Sequence, residues 1–337
     1  MTTSLSDIAK LAGVSVKTVS GALHGGNARM STTTRDKIRE IAEKLGYVTN
    51  LAARSMRQGF MPLIAVIADE LATSPIGSEI IRGLDNEIRK ADMAVFMTPL
   101  GRGRDLSTVV GEVSRFRPWA IAYVAMYHKI IEIPPGVRES VGVLINCRES
   151  TDSIASLVPD EVLAAIEITN HLVSAGRKRI AFLNLPGLLA GELRLQGFET
   201  CMNEHGLSIR KDWIRPAVRR SLYADRAHSL VAEHVHELMS QADKPDAILC
   251  GNDRVAMEVY AALRRVGAEI PNDVAVASFD NQIDIAARLD PPLTTMALPH
   301  RAMGRMAGEI LLAEQSPRHL NRCLPFQLVE RNSVWSV

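Results

Sequence analysis

Two periodicities divide the chain. Up to about residue 57, apolar positions recur at helical spacing; from Leu63 onward, short apolar runs alternate with amphipathic stretches. In the first part Ile8, Ala9 and Leu11 form an inward face, with Ser6 suited to cap the helix and Asp7 to its positive end. Gly13 interrupts the pattern, and Ser15 can cap a second helix running to about Leu23. Ser31 or Thr32 can open a third on Ile38, Ile41, Ala42 and Leu45, with Gly46 as its stop. One more short helix is expected over residues 50–57, ahead of a break at 59–62. Beyond it, strand-like runs fall at 63–68, 94–98, 119–125, 141–146, 179–185, 246–250 and 274–278. Helical stretches occupy about 76–91, 105–115, 160–175, 191–205, 224–241, 254–266 and 300–313. Strand and helix alternating at this pitch predict parallel sheets with helices on both faces, in two lobes. The lobe change is expected near 155–160 and the return near 285–300.

The sharpest local signal is the spacing of Ala9, Gly13 and Val19. Two helices crossing steeply over a short turn need a tiny residue at the approach, a residue tolerant of left-handed backbone in the turn, and an apolar plug. That is a helix-turn-helix, whose second helix enters the DNA major groove. Val16, Lys17, Ser20 and Gly21 are then its exposed residues, with Ser15 and Thr18 near phosphates. Any helical hairpin can carry Ala, Gly and Val at such offsets, so charge decides between the readings. Residues 1–59 carry a net charge of +5 on a body of −4, as suits a polyanion-binding head.

Length and composition narrow the class further. A chain of 337 residues suits two or three domains. No apolar run approaches the ~18 residues of a membrane span, and residues 1–10 lack the apolar core of a secretory signal. The four cysteines are scattered without a CxxC pair, as expected of reduced thiols in a cytoplasmic protein without metal or cofactor.

"LSDIAKLAGVSVKTVSGALHG" followed by "STTTRDKIREIAEKLGYVTNLAARSMRQG" resembles the headpiece and hinge of the LacI/GalR family of repressors, and the resemblance continues over nearly the whole chain. It implies three parts: a helix-turn-helix headpiece over 1–49, a hinge helix and linker over 50–61, and an effector-binding and dimerisation domain over 62–337. The last would be periplasmic-binding-protein-like (type I), with two doubly wound lobes and the effector between them. It implies a homodimer on pseudo-palindromic double-stranded operator DNA, with Arg29, Asn50 and Ala53 among the contacts and Met56 as an apolar wedge in the minor groove. Two departures stand out: Gly21 replaces the usual Arg after Thr-Val-Ser, and Thr49 replaces the Pro of the hinge entry. Both point to an operator unlike the family consensus.

Ligands of open α/β sheets sit at the carboxyl ends of strands, where Asp69, Glu70, Thr73, Asn146 and Arg148 fall in the first lobe. In the second lobe "ELRLQGF", "CGNDRVAM" and "ASFDN" put Arg194, Asn252 and Asp280 at positions where the resemblance implies effector binding. Arg194 could instead pair with Glu192 or Glu199 on its own helix. Asp253 reads as the cap of the following helix, and Tyr223 as a residue that either stacks on a sugar or packs. The expected effector is a sugar or sugar acid; Arg148 and Arg194 together would suit the acid if Arg148 points into the cleft.

Catalytic signals are weak. Gly101-Arg102-Gly103-Arg104 lacks the third glycine of a dinucleotide loop, and His234 and His236 diverge around a helix. An exported solute receptor or an α/β hydrolase are the competing readings, and the cationic head favours a non-enzymatic regulator over both.

Overall fold

The computed structural model describes residues 3–24, 30–47, 55, 59–69, 77–101, 103–219, 228–313 and 319–335. The chain forms two compact units, residues 1–61 and 62–337.

Among its described residues the first unit forms a cluster of α1 (Leu5–Ala12), α2 (Val16–His24) and α3 (Thr32–Lys44). Its core is Ile8, Ala9, Ala12, Val19, Ala22, Ile38 and Ala42. The first cap is Ser4, not Ser6: Ser4 Oγ accepts from Asp7 N and the Asp7 carboxylate accepts from Ser4 N, a closed capping box that Ser6, already inside the helix, could not make. Ser31 caps α3 by accepting from Thr34 N at 3.1 Å.

The larger unit holds two six-stranded sheets. β1 (Met61–Asp69), β2 (Ala94–Pro99), β3 (Pro118–Ile131), β4 (Val141–Glu149) and β5 (Ser156–Pro159) belong to the first. β6 (Ile180–Asn184), β7 (Ile214–Pro216), β8 (Ala247–Cys250), β9 (Ala275–Asp280) and β10 (Thr294–Ala297) belong to the second. The last two strands, β11 (Asn321–Leu324) and β12 (Gln327–Val329), complete one sheet each, giving orders β11-β5-β4-β3-β1-β2 and β12-β10-β9-β8-β6-β7. Both are doubly wound, with a switch point between β1 and β3 in the first lobe and between β6 and β8 in the second. β12 departs from a purely parallel sheet: it runs antiparallel to β10 as an edge strand, reached from β11 across residues 325–326 alone.

Helices cover these sheets: α4 (Gly77–Ile88), α5 (Leu106–Ser114), α6 (Glu161–Ser174), α7 (Leu189–Glu204), α8 (Val231–Met239), α9 (Asp253–Arg265) and α10 (His300–Leu312). Although α10 follows the second lobe in sequence, it packs on α4 in the first, where Met303, Ala307 and Leu311 join Ile80 and Leu84 in one core. The chain therefore crosses between lobes after β5, after β10 and after β11. Among the described residues no helix is long and apolar enough to cross a membrane.

Candidate DNA-reading head and effector site

In the head, Gly13 adopts φ 70° and closes α1 by donating to the Ala9 carbonyl at 3.0 Å. This left-handed turn needs no side chain, and it delivers Val19, fully buried, against Ile8 and Ala9. Ser15 caps α2 by accepting from Thr18 N at 3.1 Å, and its hydroxyl also meets that of Thr18 at 2.8 Å. Val16 and Lys17 stand exposed in the first turn of α2, with Thr18 and Ser20 half-buried behind them. A helix N-terminus with an exposed cation and free valine methyls suits insertion toward base edges. Arg29, Asn50, Ala53 and Met56, with the expected hinge helix, lie outside the described residues, as do Glu70, Thr73 and Tyr223.

In the second lobe a charged cluster forms at the switch point, around Arg194 on α7 (3% exposed). Its Nε donates to Glu161 Oε2 at 2.7 Å, Nη1 donates to the Gly251 carbonyl at 2.6 Å, and Nη2 lies 3.7 Å from Asp280 Oδ1. Phe279 stacks under the guanidinium, 4.4 Å from its centroid, with the Phe326 ring 5.9 Å away. Glu161 opens α6, and α6 meets α7 at Gly197: a Cβ there would stand 2.3 Å from the Val162 carbonyl. That glycine lies one helical turn beyond Arg194, so the close crossing is what brings guanidinium and carboxylate together. Glu192, by contrast, is exposed.

Glu161 Oε1 faces His128 Nδ1 at 3.7 Å, too long for a hydrogen bond, and that buried nitrogen has no hydrogen-bond partner. His128 comes from β3 of the first lobe, so the two lobes meet at this carboxylate. Burial works to raise the Glu161 carboxyl, but the charge of Arg194 and the donors around it outweigh this and hold it below the ordinary carboxylate range. Asp280 goes the other way: burial pushes it up to about 7, opposed by Arg194 and reinforced by Asp253 and Glu161.

Asn252, not Asp253, caps α9: its Oδ1 accepts from Val255 N at 3.0 Å. Asp253 is fully buried and ties the loop after β9 to β10 instead, accepting from Gln282 N at 2.6 Å and Thr295 Oγ1 at 2.8 Å. Burial lifts it to about 6 despite those donors.

The first lobe contributes differently from the sequence expectation. Asn146, at φ 59°, turns its amide inward onto the carbonyls of Ala125 and Met126, bracing the irregular stretch where β3 and β4 shift register. Arg148 is exposed on β4, close enough to Cys323 of β11 to act on its thiol, and no described contact joins it to the Arg194 cluster. Asp69 ends β1 bonded to the Tyr123 hydroxyl at 2.7 Å and ion-paired with Lys129. The sequence reading grouped Arg194, Asn252 and Asp280; the structure brings Arg194 and Asp280 together, whereas the Asn252 side chain caps α9. That reading missed Glu161, His128 and the Gly251 carbonyl; an acid opening a helix reads as ordinary first-turn chemistry.

Comparison with known proteins agrees with this architecture. Residues 4–50 match the model of bacterial regulatory proteins of the lacI family, and residues 169–334 that of a periplasmic binding protein-like domain. The chain is 34% identical to the sucrose operon repressor of Escherichia coli over 98% of its own length and 99% of that protein's. It is 26% identical to the transcriptional repressor PurR of Vibrio cholerae over 98% and 97% of the two chains. Among solved structures, a LacI-family regulator from Rhizobium etli superposes with a TM-score of 0.74 at 28% identity, over 82% of this chain and 99% of that one. The lac repressor dimer bound to operator superposes at 0.75 over the whole of both chains, a likeness of fold at 22% identity. With one relative matched end to end at this identity, the chain belongs to the LacI family of bacterial regulatory proteins.

Proposed function

We propose that this protein represses a carbohydrate-utilisation operon from the cytoplasm, as a homodimer whose grip on operator DNA is set by a hydroxylated small molecule held between the lobes. The parts are a headpiece over 1–49, a hinge over 50–61 and an effector domain over 62–337. The end-to-end match to a sucrose operon repressor carries this reading, with the buried Arg194–Asp280 cluster as the binding chemistry. Ligand shifts the balance between two lobe arrangements and so the spacing of the paired hinges. A gel shift with operator selected from random duplexes, repeated with sucrose and related sugars, tests both halves. No selected duplex, or no sugar effect on it, ends the corresponding half. A binder also leaves its ligand intact, so turnover of any bound sugar would favour the enzyme reading instead.

Lys17→Ala is expected to weaken binding to the selected operator by about 1–3 kcal/mol and to relax preference at one base pair. A uniform loss across all duplexes would assign Lys17 to phosphate alone.

Asp280 accepts ligand hydroxyls best as the carboxylate, and burial places its titration at about 7. Affinity for a neutral sugar is therefore expected to rise by up to about tenfold from pH 6 to 8 and then level off. A flat calorimetric profile would exclude Asp280 as the acceptor.

A further inference from the structure

Every donor edge of Arg194 already faces an acceptor of the protein. Nε is held by Glu161, Nη1 by the Gly251 carbonyl, and Nη2 lies beside Asp280, while phenyl rings flank the guanidinium. A carboxylate or phosphate can use a guanidinium bidentately only where two parallel N–H groups stand free. Here an incoming anion would meet the Glu161 and Asp280 carboxylates within the same few ångströms. Lys129 in the first lobe is likewise neutralised by Asp69, and Arg148 stands apart from the cluster. Glu161 and Arg194 are both nearly inaccessible to water, at 2% and 3% exposed, so solvent does little to screen either charge. The site therefore offers hydrogen-bonding groups without a net positive charge.

We propose that Glu161 sets the charge selectivity of the effector site: by cancelling Arg194 it admits an uncharged polyhydroxylated ligand and rejects the carboxylate and phosphate forms of the same skeleton. This rests on the effector-site reading above. A neutral sugar's hydroxyls can donate to Asp280 and share the hydrogen bonds of the cluster, with no ionic partner required. The sugar-acid alternative needed Arg148 in the cleft, and its exposed place on β4 removes that support.

Titration calorimetry on the full-length protein, with matched sets, tests the idea. Sucrose, glucose, fructose and cellobiose are each compared with their phosphates, and glucose also with glucuronate and gluconate. The tightest binder is expected to be neutral and to exceed its charged counterparts at least tenfold. A charged member binding as tightly as its neutral match would overturn the proposal without any variant. In Glu161→Gln, which keeps an acceptor for Arg194 Nε, the gap is expected to shrink to threefold or less, whereas Glu161→Asp retains most of it. A folded Glu161→Gln protein with the full gap would also overturn it. Failure of the effector reading looks different: no member of any set binds or changes operator affinity, and reading and proposal then fall together while operator binding stands.

Discussion

Replacing Arg194 by alanine is expected to destabilise the second lobe by about 3–5 kcal/mol, the usual cost of leaving a buried charge without its partner. Glu161 and Asp280 would then both lose the guanidinium they now share. The loss should depend on pH, and its sign follows from the carboxyl groups. Without the guanidinium both acids titrate higher in the folded than in the unfolded chain. The folded variant then holds protons that its unfolded form releases, so its stability falls as pH rises above the ordinary carboxylate range. The gap to the parent protein should accordingly widen from pH 5 to pH 8. Denaturation followed at Trp213, buried in this lobe and bonded to Gln241 at 3.0 Å, reads it. A loss below about 1 kcal/mol at pH 8 would mean that the carboxylates find water or another partner.

Gly304→Val should be at least as damaging, in the other lobe. A Cβ at Gly304 would stand 1.9 Å from the Ile80 carbonyl, and one at Gly83 would stand 2.1 Å from that of Arg301. The backbones of α4 and α10 therefore touch, and no side-chain movement can make room. Separating the helices opens the core of Ile80, Leu84, Met303 and Ala307. Overpacking of well-filled cores costs about 1–3 kcal/mol, and with backbone as the obstacle the upper end or beyond is expected. Trp119, which donates to the Leu311 carbonyl at 2.7 Å, reports on the end of α10. Gly111, exposed on α5 with nothing within 4 Å of its would-be Cβ, is the contrast. Alanine there should stabilise by about 0.5–1 kcal/mol, through backbone entropy alone. Equal effects at the two glycines would refute the argument from close approach.

The helices and the longer strands were legible because burial imposes a period. Apolar runs such as 63–68 and 141–146 cannot lie at a surface, and they became β1 and β4. The strands that escaped the sequence reading, β5, β7, β10, β11 and β12, are three or four residues long. β8, equally short, was read from its wholly apolar run; the others have no such run, and only the neighbouring strand supplies the reason to be extended. Ser15 and Ser31 were placed as caps by the sequence, but two other caps were readable by type and not by position. Ser4 and Asn252 were displaced by Ser6 and Asp253 as candidates, since several polar residues precede each helix and only the local backbone selects one.

The amino-acid sequence alone determined the reading head: Ala9, Gly13 and Val19 act within one hairpin, and near neighbours in the chain are near neighbours in space. It also singled out Arg194, inside a helix, and Asp280, at a strand end, which the fold brings to one cluster. What only the tertiary structure decided is the partner of Arg194. Helical neighbours such as Glu192 were the nearest acids in sequence, yet the buried guanidinium found Glu161, 33 residues away, across a crossing that Gly197 permits. A buried charge must be met by whatever the packing delivers to it, and packing joins positions whose distance along the chain carries no information.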